Sequence, residues 1–367
     1  MSVFASSLET SLADAVPASN YASDCFVTSE AGYNDVLVRR GPAGPTTTGA
    51  YVGVGPDQNF IYAGVLRPRL VLIVDARMDN LLEHLVFKLL MERSETPLEY
   101  LAALFSRALP PGPAAVEPGP GPLLAAFDAL PVDPGAHEST VKWIKAELLR
   151  RWHRLAPYTQ RVDYLCAEFF TRQLDITSVN ATLHANLDFV PTMREVIEAH
   201  ETHGVNLHYL TDPGRYDYVR SLQVSDRIIP VRGNVSSPQS IAQVNELLRL
   251  SGEKVCHLYL SNLEEFLLGR YLMDSERVAR RPNPSGLLSG EYGAAYRELL
   301  NRMGELDRQD DAALIRFFLP GDGRRLRLRS FPVPARRYTA ADGIPGPVAR
   351  PTAAVGPAHL PVTCPGC

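Results

Sequence analysis

Residues 50–92 read AYVGVGPDQNFIYAGVLRPRLVLIVDARMDNLLEHLVFKLLME, and four pieces separate within them. Ala50-Tyr-Val-Gly-Val-Gly55 is a short apolar run closed by glycines, the pattern of a strand entering a turn. After Pro56 an apolar-spaced segment runs through Leu66. Leu70-Val-Leu-Ile-Val74 is apolar at every position, as expected of a strand covered on both faces, and Asp75 closes it. Leu81, Leu82, Leu85, Val86, Leu89 and Leu90 then recur at helical spacing, with Asn80 and Glu83 as a capping pair at the start. Strand, helix, strand, helix in this order predicts an α/β domain with a mostly parallel sheet.

The same rhythm returns downstream. Arg227-Ile-Ile-Pro-Val231 reads as a strand, with Pro230 an argument against a central position. Gly233-Asn234 forms the loop after it. Ser237 caps a helix that has Pro238 at its first position, a stripe of Ile241, Val244, Leu247 and Leu248, and Gly252 as its stop. Lys254–Leu260 is a further strand ending in Ser261-Asn262, and a helix follows from Leu263. Another helix covers Glu291–Leu306. Ala312–Leu319 and Leu326–Val333 read as strands around a Gly-Asp-Gly turn, an antiparallel hairpin closing the sheet. Between the two α/β stretches the pattern is helical, at Leu98–Arg107, Glu138–Leu155, Val162–Gln173 and Thr192–His203. These form a helical insertion at about residues 94–203.

At ~150 residues per domain, a chain of 367 residues has the length of two domains. It resolves instead into a polar leader over 1–24, one Rossmann-like α/β domain over 25–335 and a Pro/Gly-rich disordered tail over 336–367. The 30 prolines exceed the usual ~5% and concentrate outside the core, in a loop at 109–122 and from Pro332 onward. Lys+Arg 37 against Asp+Glu 41 gives a formal charge of −4, which leaves no basic footprint for nucleic acid. No apolar run approaches the ~20 residues that span a bilayer, and the first residues lack the basic start and apolar core of a secretory signal. Five scattered cysteines do not make a disulfide framework, so a reducing cytoplasm is the expected compartment. Cys364 and Cys367 form a C-x-x-C without the second pair of ligands that zinc needs, and His84 has no second histidine at ligand spacing. No metal is expected.

The chemistry concentrates at the expected carboxyl ends of the strands, where open α/β sheets bind ligands. Gly53 and Gly55 let the backbone approach a ligand, and Asp57 and Asn59 follow in the same loop. Asp75 ends the second strand, where a carboxylate accepts the hydroxyls of an adenosine ribose. The third glycine of the dinucleotide fingerprint is absent, since Asn59 and Phe60 stand near its place. That favours an adenosyl ligand without phosphates, S-adenosylmethionine, over a dinucleotide. The plainer alternative is a tight turn with Asp75 capping a loop. Asn234 is a candidate for the adenine edge or a simple turn residue. Ser261 and Asn262 are candidates for the cofactor and for the target nitrogen, and Asn262 equally suits a capping box with Glu265. His208 and Tyr209 are candidates to orient or deprotonate a substrate, with His184 and Asp188 upstream, although an isolated histidine is more often structural.

Several stretches carry a resemblance. They are Tyr51-Val-Gly-Val-Gly-Pro-Asp-Gln-Asn-Phe60, Leu66-Arg-Pro-Arg69, Val74-Asp-Ala-Arg77 and Asn80-Leu-Leu-Glu-His84, then Asn206 with Tyr209-Leu210, Ile228-Ile-Pro-Val231 with Gly233, and Tyr259-Leu-Ser-Asn-Leu-Glu-Glu-Phe266. Over about residues 25–335 the chain is similar to a family of uncharacterised bacterial proteins whose core resembles class I S-adenosylmethionine-dependent methyltransferases. The resemblance implies a twisted seven-stranded sheet with its last strand antiparallel, and a cofactor site at Gly53, Gly55 and Asp75. Asn234 stands where that family leads one to expect an acid, and Leu207 where it leads one to expect a histidine, with His208 one place later.

Three functions follow as expectations. The first is S-adenosylmethionine binding with methyl transfer to a small molecule or protein side chain. The second is a methyltransferase-like ligand sensor or interaction module without turnover. The third is a dinucleotide-dependent oxidoreductase.

Overall fold

The apolar run at 70–74 is the centre of strand β2 (Pro68–Asp75) in a computed structural model. The structure describes residues 3–13, 26–28, 30, 33, 37, 47–112, 114–178, 191–199, 204–261, 263, 298–315, 317–318, 329–330 and 333–334. Strand β1 (Thr47–Gly53) lies beside β2, and helix α2 (Gln58–Leu66) connects the two. β3 (Ile228–Arg232) flanks β2 on the outside, while β4 (Val255–Tyr259) and β5 (Arg308–Ile315) lie on the other side of β1. All four pairings in the order β3-β2-β1-β4-β5 are parallel. The protein is therefore an α/β fold with a Rossmann-like parallel sheet. The chain first winds outward from β1 through β2 to β3, then restarts at β4, so the order reverses between β1 and β4. Beyond β5, Leu314 pairs antiparallel with Val333 of β8 (Val333–Pro334). β6 (Phe317–Phe318) and β7 (Arg329–Ser330) form a separate antiparallel pair, and the Gly321–Gly323 turn lies outside the described residues.

Pro230 pairs with Ile73 in a strand that has β2 as its only neighbour in the sheet among the described residues, so the ladder tolerates its missing N–H. Helix α1 (Val3–Ala13) packs on this edge. Ser11 Oγ receives the Arg232 N–H at 3.1 Å, and Phe4 and Leu8 are buried in the core. The stretch read as a polar leader thus contributes packed apolar side chains.

Helix α3 (Met78–Arg93) begins two residues before the expected Asn80–Glu83 capping pair. The earlier start has a local cause. Asp75 Oδ1 accepts the Arg77 N–H at 2.9 Å and turns the chain into the helix, so no cap is needed at Asn80. Asn80 and Glu83 are buried instead. α3 is buried from Asp79 to Met91 because it lies between the sheet and a second helical layer. Lys88 pairs with Glu92 and Asp226, each at 2.8 Å, and Asp79 pairs with Arg161.

That layer comprises α4 (Pro97–Phe105), α5 (Pro120–Asp128), α6 (Pro134–Arg151), α7 (Thr159–Arg172) and α8 (Met193–Glu198). Capping side chains set three of its starts, with Thr96, Asp133 and Thr192 accepting the N–H groups of Glu99, Ala136 and Glu195. Edge-to-face rings run from α2 into the layer: Phe60 to Phe87 at 5.9 Å, Phe87 to Phe169 at 5.8 Å, Phe169 to Phe105 at 5.8 Å and Phe105 to Phe127 at 5.5 Å. Helix α9 (Pro213–Val224), capped by Asp212, had no counterpart in the sequence reading. Helix α10 (Pro238–Ser251) follows β3. Residues 298–304 are helical and lead to β5, whereas the expected helix after Leu263 and the Cys364/Cys367 pair lie outside the described residues.

Candidate functional site

Ligands of open α/β sheets bind at the carboxyl ends of the strands where the order reverses, which here means the ends of β1 and β4. β1 ends at Gly53, and the loop Val54–Asp57 leads into α2. The two glycines of this loop differ in their reasons. A Cβ on Gly53 would come within 2.6 Å of Tyr51 Cε1 and 2.8 Å of its hydroxyl, and closer still to Asn59, so packing alone demands glycine. Gly55 is buried at φ +82, and no atom of the described residues lies within 4 Å of a Cβ built there.

Asn59, a candidate for ligand contact, is engaged with the loop itself. Its Nδ2 donates to the carbonyls of Val54, Gly55 and Pro56 at 3.1, 3.2 and 2.7 Å, and its Oδ1 accepts the Tyr51 hydroxyl at 3.0 Å. His84 of α3 adds a bond from Nε2 to the Gly55 carbonyl at 3.0 Å. Two buried side chains therefore hold the carbonyl side of the loop. Burial pushes the His84 pKa down to about 4, against the opposing pull of the Gly55 carbonyl and Asp75, so the ring is neutral at pH 7.

Asp57 is 2% exposed and accepts the Thr28 N–H at 3.2 Å. Burial pushes its carboxyl up to about 7, and backbone N–H bonds from Thr28, Asp57 and Gln58 offset only part of that rise. Thr28 also donates through Oγ1 to Gln58 Oε1 and accepts the Glu30 N–H at 3.1 Å. Glu30, wholly buried, receives the Tyr259 hydroxyl at 2.6 Å and the Ser261 hydroxyl. The segment containing Thr28 and Glu30 thus ties the end of β4 to the start of α2 across the switch point. Three tyrosine rings back it, with Tyr51 to Tyr62 at 6.1 Å and Tyr62 to Tyr259 at 4.8 Å. Burial, then the neighbouring Glu30 and tyrosines, hold Tyr51 and Tyr259 well above the ordinary tyrosine range, so both remain hydroxyls.

Asp75 sits at the end of β2 as the sequence indicates, but Arg77 engages it. Oδ1 accepts the Arg77 N–H and Nε, at 2.9 and 2.8 Å, and Oδ2 pairs with the guanidinium. Among the described residues Oδ2 keeps one acceptor direction. Asn234 is exposed and its Oδ1 receives the Ser236 N–H at 2.9 Å, which makes it a turn residue. Ser261 adopts φ +52 and bonds Glu30. Asn262, His184 and Asp188 lie outside the described residues.

His208 and Tyr209 lie behind the loop helix. Tyr209 packs its ring 5.7 Å from Phe60 and stacks on His208 at 4.9 Å. Burial, then Tyr100 and Asp57, raise Tyr209 well above its ordinary range, so Asp57, Tyr100 and Tyr209 form one buried electrostatic cluster. His208 accepts the Leu210 N–H at Nδ1, and burial, then Arg215, push its pKa down to about 3. It is neutral and fully enclosed.

Sequence reasoning missed Thr28, Glu30, Gln58, Tyr62, Tyr100 and Tyr259. Gln58 and Tyr259 stand in stretches that carry the resemblance, and nothing in the local pattern marked the partners they make. His84, weighed only for metal ligation and set aside for want of a second histidine, has a carbonyl as its partner. A cleft of about 240 Å³ lies apart from this site, between Thr96, which caps α4, Leu98 of α4, Val116 and Gly119 of the proline-rich loop, and Leu210 and Thr211. Among the described residues no group of three or more His, Cys, Asp or Glu could hold a metal ion, and no helix is long and apolar enough to cross a membrane.

The sequence profile of a domain of unknown function, DUF7790, matches residues 41–108 and 134–275, which includes β1 through β4 and the helices α2–α4 and α6–α10. No curated protein matches the chain. The profile covers more than half of the sequence, and the chain belongs to the DUF7790 family.

Proposed function

We propose that the protein binds an adenosyl ligand, S-adenosylmethionine, at the carboxyl ends of β1, β2 and β4, and transfers its methyl group to a small molecule or a protein side chain. The observation that carries this reading is Gly55. It is buried, left-handed, and has room beside it at the point where the strand order reverses. The acid ending β2 and the antiparallel β8 beside β5 support a methyltransferase-type sheet.

The residues fit such a ligand. Gly55 offers close backbone approach, Asp75 Oδ2 accepts a hydroxyl, and Glu30, Tyr259 and Ser261 supply a polar wall. The bound sulfonium supplies an activated methyl group, so the chain has to orient the acceptor, exclude water and take up a proton. Asp57, with its carboxyl near 7, can hold that proton at neutral pH.

S-adenosylhomocysteine is expected to raise the melting temperature of the full chain, and Asp75→Ala to remove the shift. Mass spectrometry of small molecules released from the native protein checks the ligand directly. A protein that binds neither adenosyl compound ends this reading.

A second reading, a ligand sensor or interaction module without turnover, is favoured by the pairing of Asp75 with Arg77 and by the turn role of Asn234. Tight adenosyl binding with no methyl transfer to any extract component would select it. A dinucleotide is the weakest reading, since buried Asn59 and Phe60 stand near the missing third glycine. Nicotinamide-dependent turnover would revive it.

A further inference from the structure

Two complementary polar atoms of α3 have no hydrogen-bond partner among the described residues. One is Nδ1 of His84 and the other is Nδ2 of Asn80, on side chains 1% and 2% exposed. A carbonyl can only accept, so the bond between His84 Nε2 and the Gly55 carbonyl puts the ring proton on Nε2. Nδ1 is therefore a lone-pair acceptor, and the depressed pKa of the ring agrees with a neutral imidazole. Asn80 lies four residues earlier on the same helix face, where Cβ atoms are about 5–6 Å apart. The two side chains do not bond one another, yet one oxygen between them can accept from Asn80 and donate to His84. A hydroxyl group has that combination of roles, whereas a carbonyl, a carboxylate or an ammonium does not. Buried donors and acceptors left unmatched in this way call for an occupant.

The position of the pair gives the occupant its class. His84 holds the carbonyl of Gly55, the buried glycine with room beside it. The same ring feels the charges of Asp75 and Arg77, so the pair belongs to the corner where β2 ends. We infer that Asn80 and His84 form a subsite for one sugar hydroxyl of a nucleoside ligand, distinct from the hydroxyl taken by Asp75. The inference rests on the adenosyl reading of the site, and neither residue touches the reacting atoms.

The test uses the full chain and titration calorimetry with S-adenosylhomocysteine and its 2′-deoxy and 3′-deoxy analogues. Removing the correct hydroxyl is expected to weaken binding about tenfold or more. In Asn80→Ala the parent compound is expected to fall to the affinity of that analogue, while the analogue itself binds as it does to the wild type. In the unaltered protein the His84 Nδ1 nitrogen resonance is expected to move on binding the parent compound but not the deoxy analogue. If the parent binds and both analogues bind equally, or the deoxy penalty persists undiminished in Asn80→Ala, or the His84 resonance stays still, the subsite is overturned and the adenosyl reading stands. If the parent does not bind at all, both fall. A ligand-bound crystal structure with a water between Asn80 and His84 also overturns the subsite. These ligand and resonance measurements need no substitution, so a variant that fails to fold leaves the test intact.

Discussion

The Tyr259 hydroxyl donates to the Glu30 carboxylate at 2.6 Å, across a sequence separation of 229 residues. Through this bond and that of Ser261, the end of β4 is clasped by a segment that precedes the sheet. Because the same segment reaches Asp57 and Gln58 through Thr28, the clasp also holds the start of α2.

Tyr259→Phe removes one hydroxyl and leaves a buried carboxylate short of a donor. A hydrogen bond to a charged group contributes about 1.5–3 kcal/mol, and a loss of that size is expected in urea denaturation at neutral pH. An unchanged midpoint would mean that the clasp contributes nothing to folding.

Gly53→Ala and Gly55→Ala should separate two kinds of glycine. The first forces a methyl group against Tyr51 and Asn59, an overpacking expected to cost about 3 kcal/mol. The second meets no described atom and carries only the left-handed penalty, about 1–2 kcal/mol. On the adenosyl reading, Gly55→Ala should weaken ligand binding more than its modest effect on stability. Equal stability losses in the two variants would contradict the packing argument.

Asn59→Asp exchanges the donor that faces three carbonyl oxygens for an acceptor. Size is preserved, so steric change is minimal, and the expected result is a loss of at least about 3 kcal/mol from unmatched buried groups. Asn59→Ala should cost less than Asn59→Asp because it adds no repulsion. Thermal unfolding of the two variants side by side checks the order.

Two opposing titrations shape stability between pH 4 and 7. His84 and His208 have folded pKa values of about 4 and 3, below the ordinary 6.5, so unfolding takes up protons and their contribution is lost as pH falls below 6.5. Asp57 has a folded value of about 7, above the ordinary 3.8, so unfolding releases its proton and stability declines as pH rises from about 4 to 7. Two histidines against one carboxylate leave a net gain of stability with rising pH across this window. Asp57→Asn removes the opposing slope and should make the pH dependence steeper. An unchanged profile in the variant would show that Asp57 titrates in its ordinary range.

Elements whose signals are local could be read before any coordinates. Helix α10 spans Pro238–Ser251 as its markers indicate, because Ser237 accepts the Ser240 N–H at 3.1 Å and Gly252 takes the left-handed turn at φ +67. Strand β2 followed from an apolar run that only a doubly covered strand requires. Helix α9 was missed although Asp212-Pro213 supplies a cap and a first-turn proline, since its apolar stripe is short: Tyr216, Val219 and Leu222 share the buried face with the polar Gln223. The site was less legible than the fold. Gly55 and Asp75 could be picked out because turns and strand ends have compositional marks, but the partners of Asp75, Asn59 and Glu30 have none.

By itself the sequence determined the α/β class, the main elements of the sheet and the glycine loop, because periodicity, capping and turn chemistry act over a few residues. Tertiary structure alone decided the strand order, the neutral His84 bound to a carbonyl, and the clasp from Glu30 to Tyr259. Each of these depends on burial and on contacts between distant parts of the chain. A side chain's charge and its free acceptors are set by what surrounds it, and no local pattern of residues encodes that surrounding.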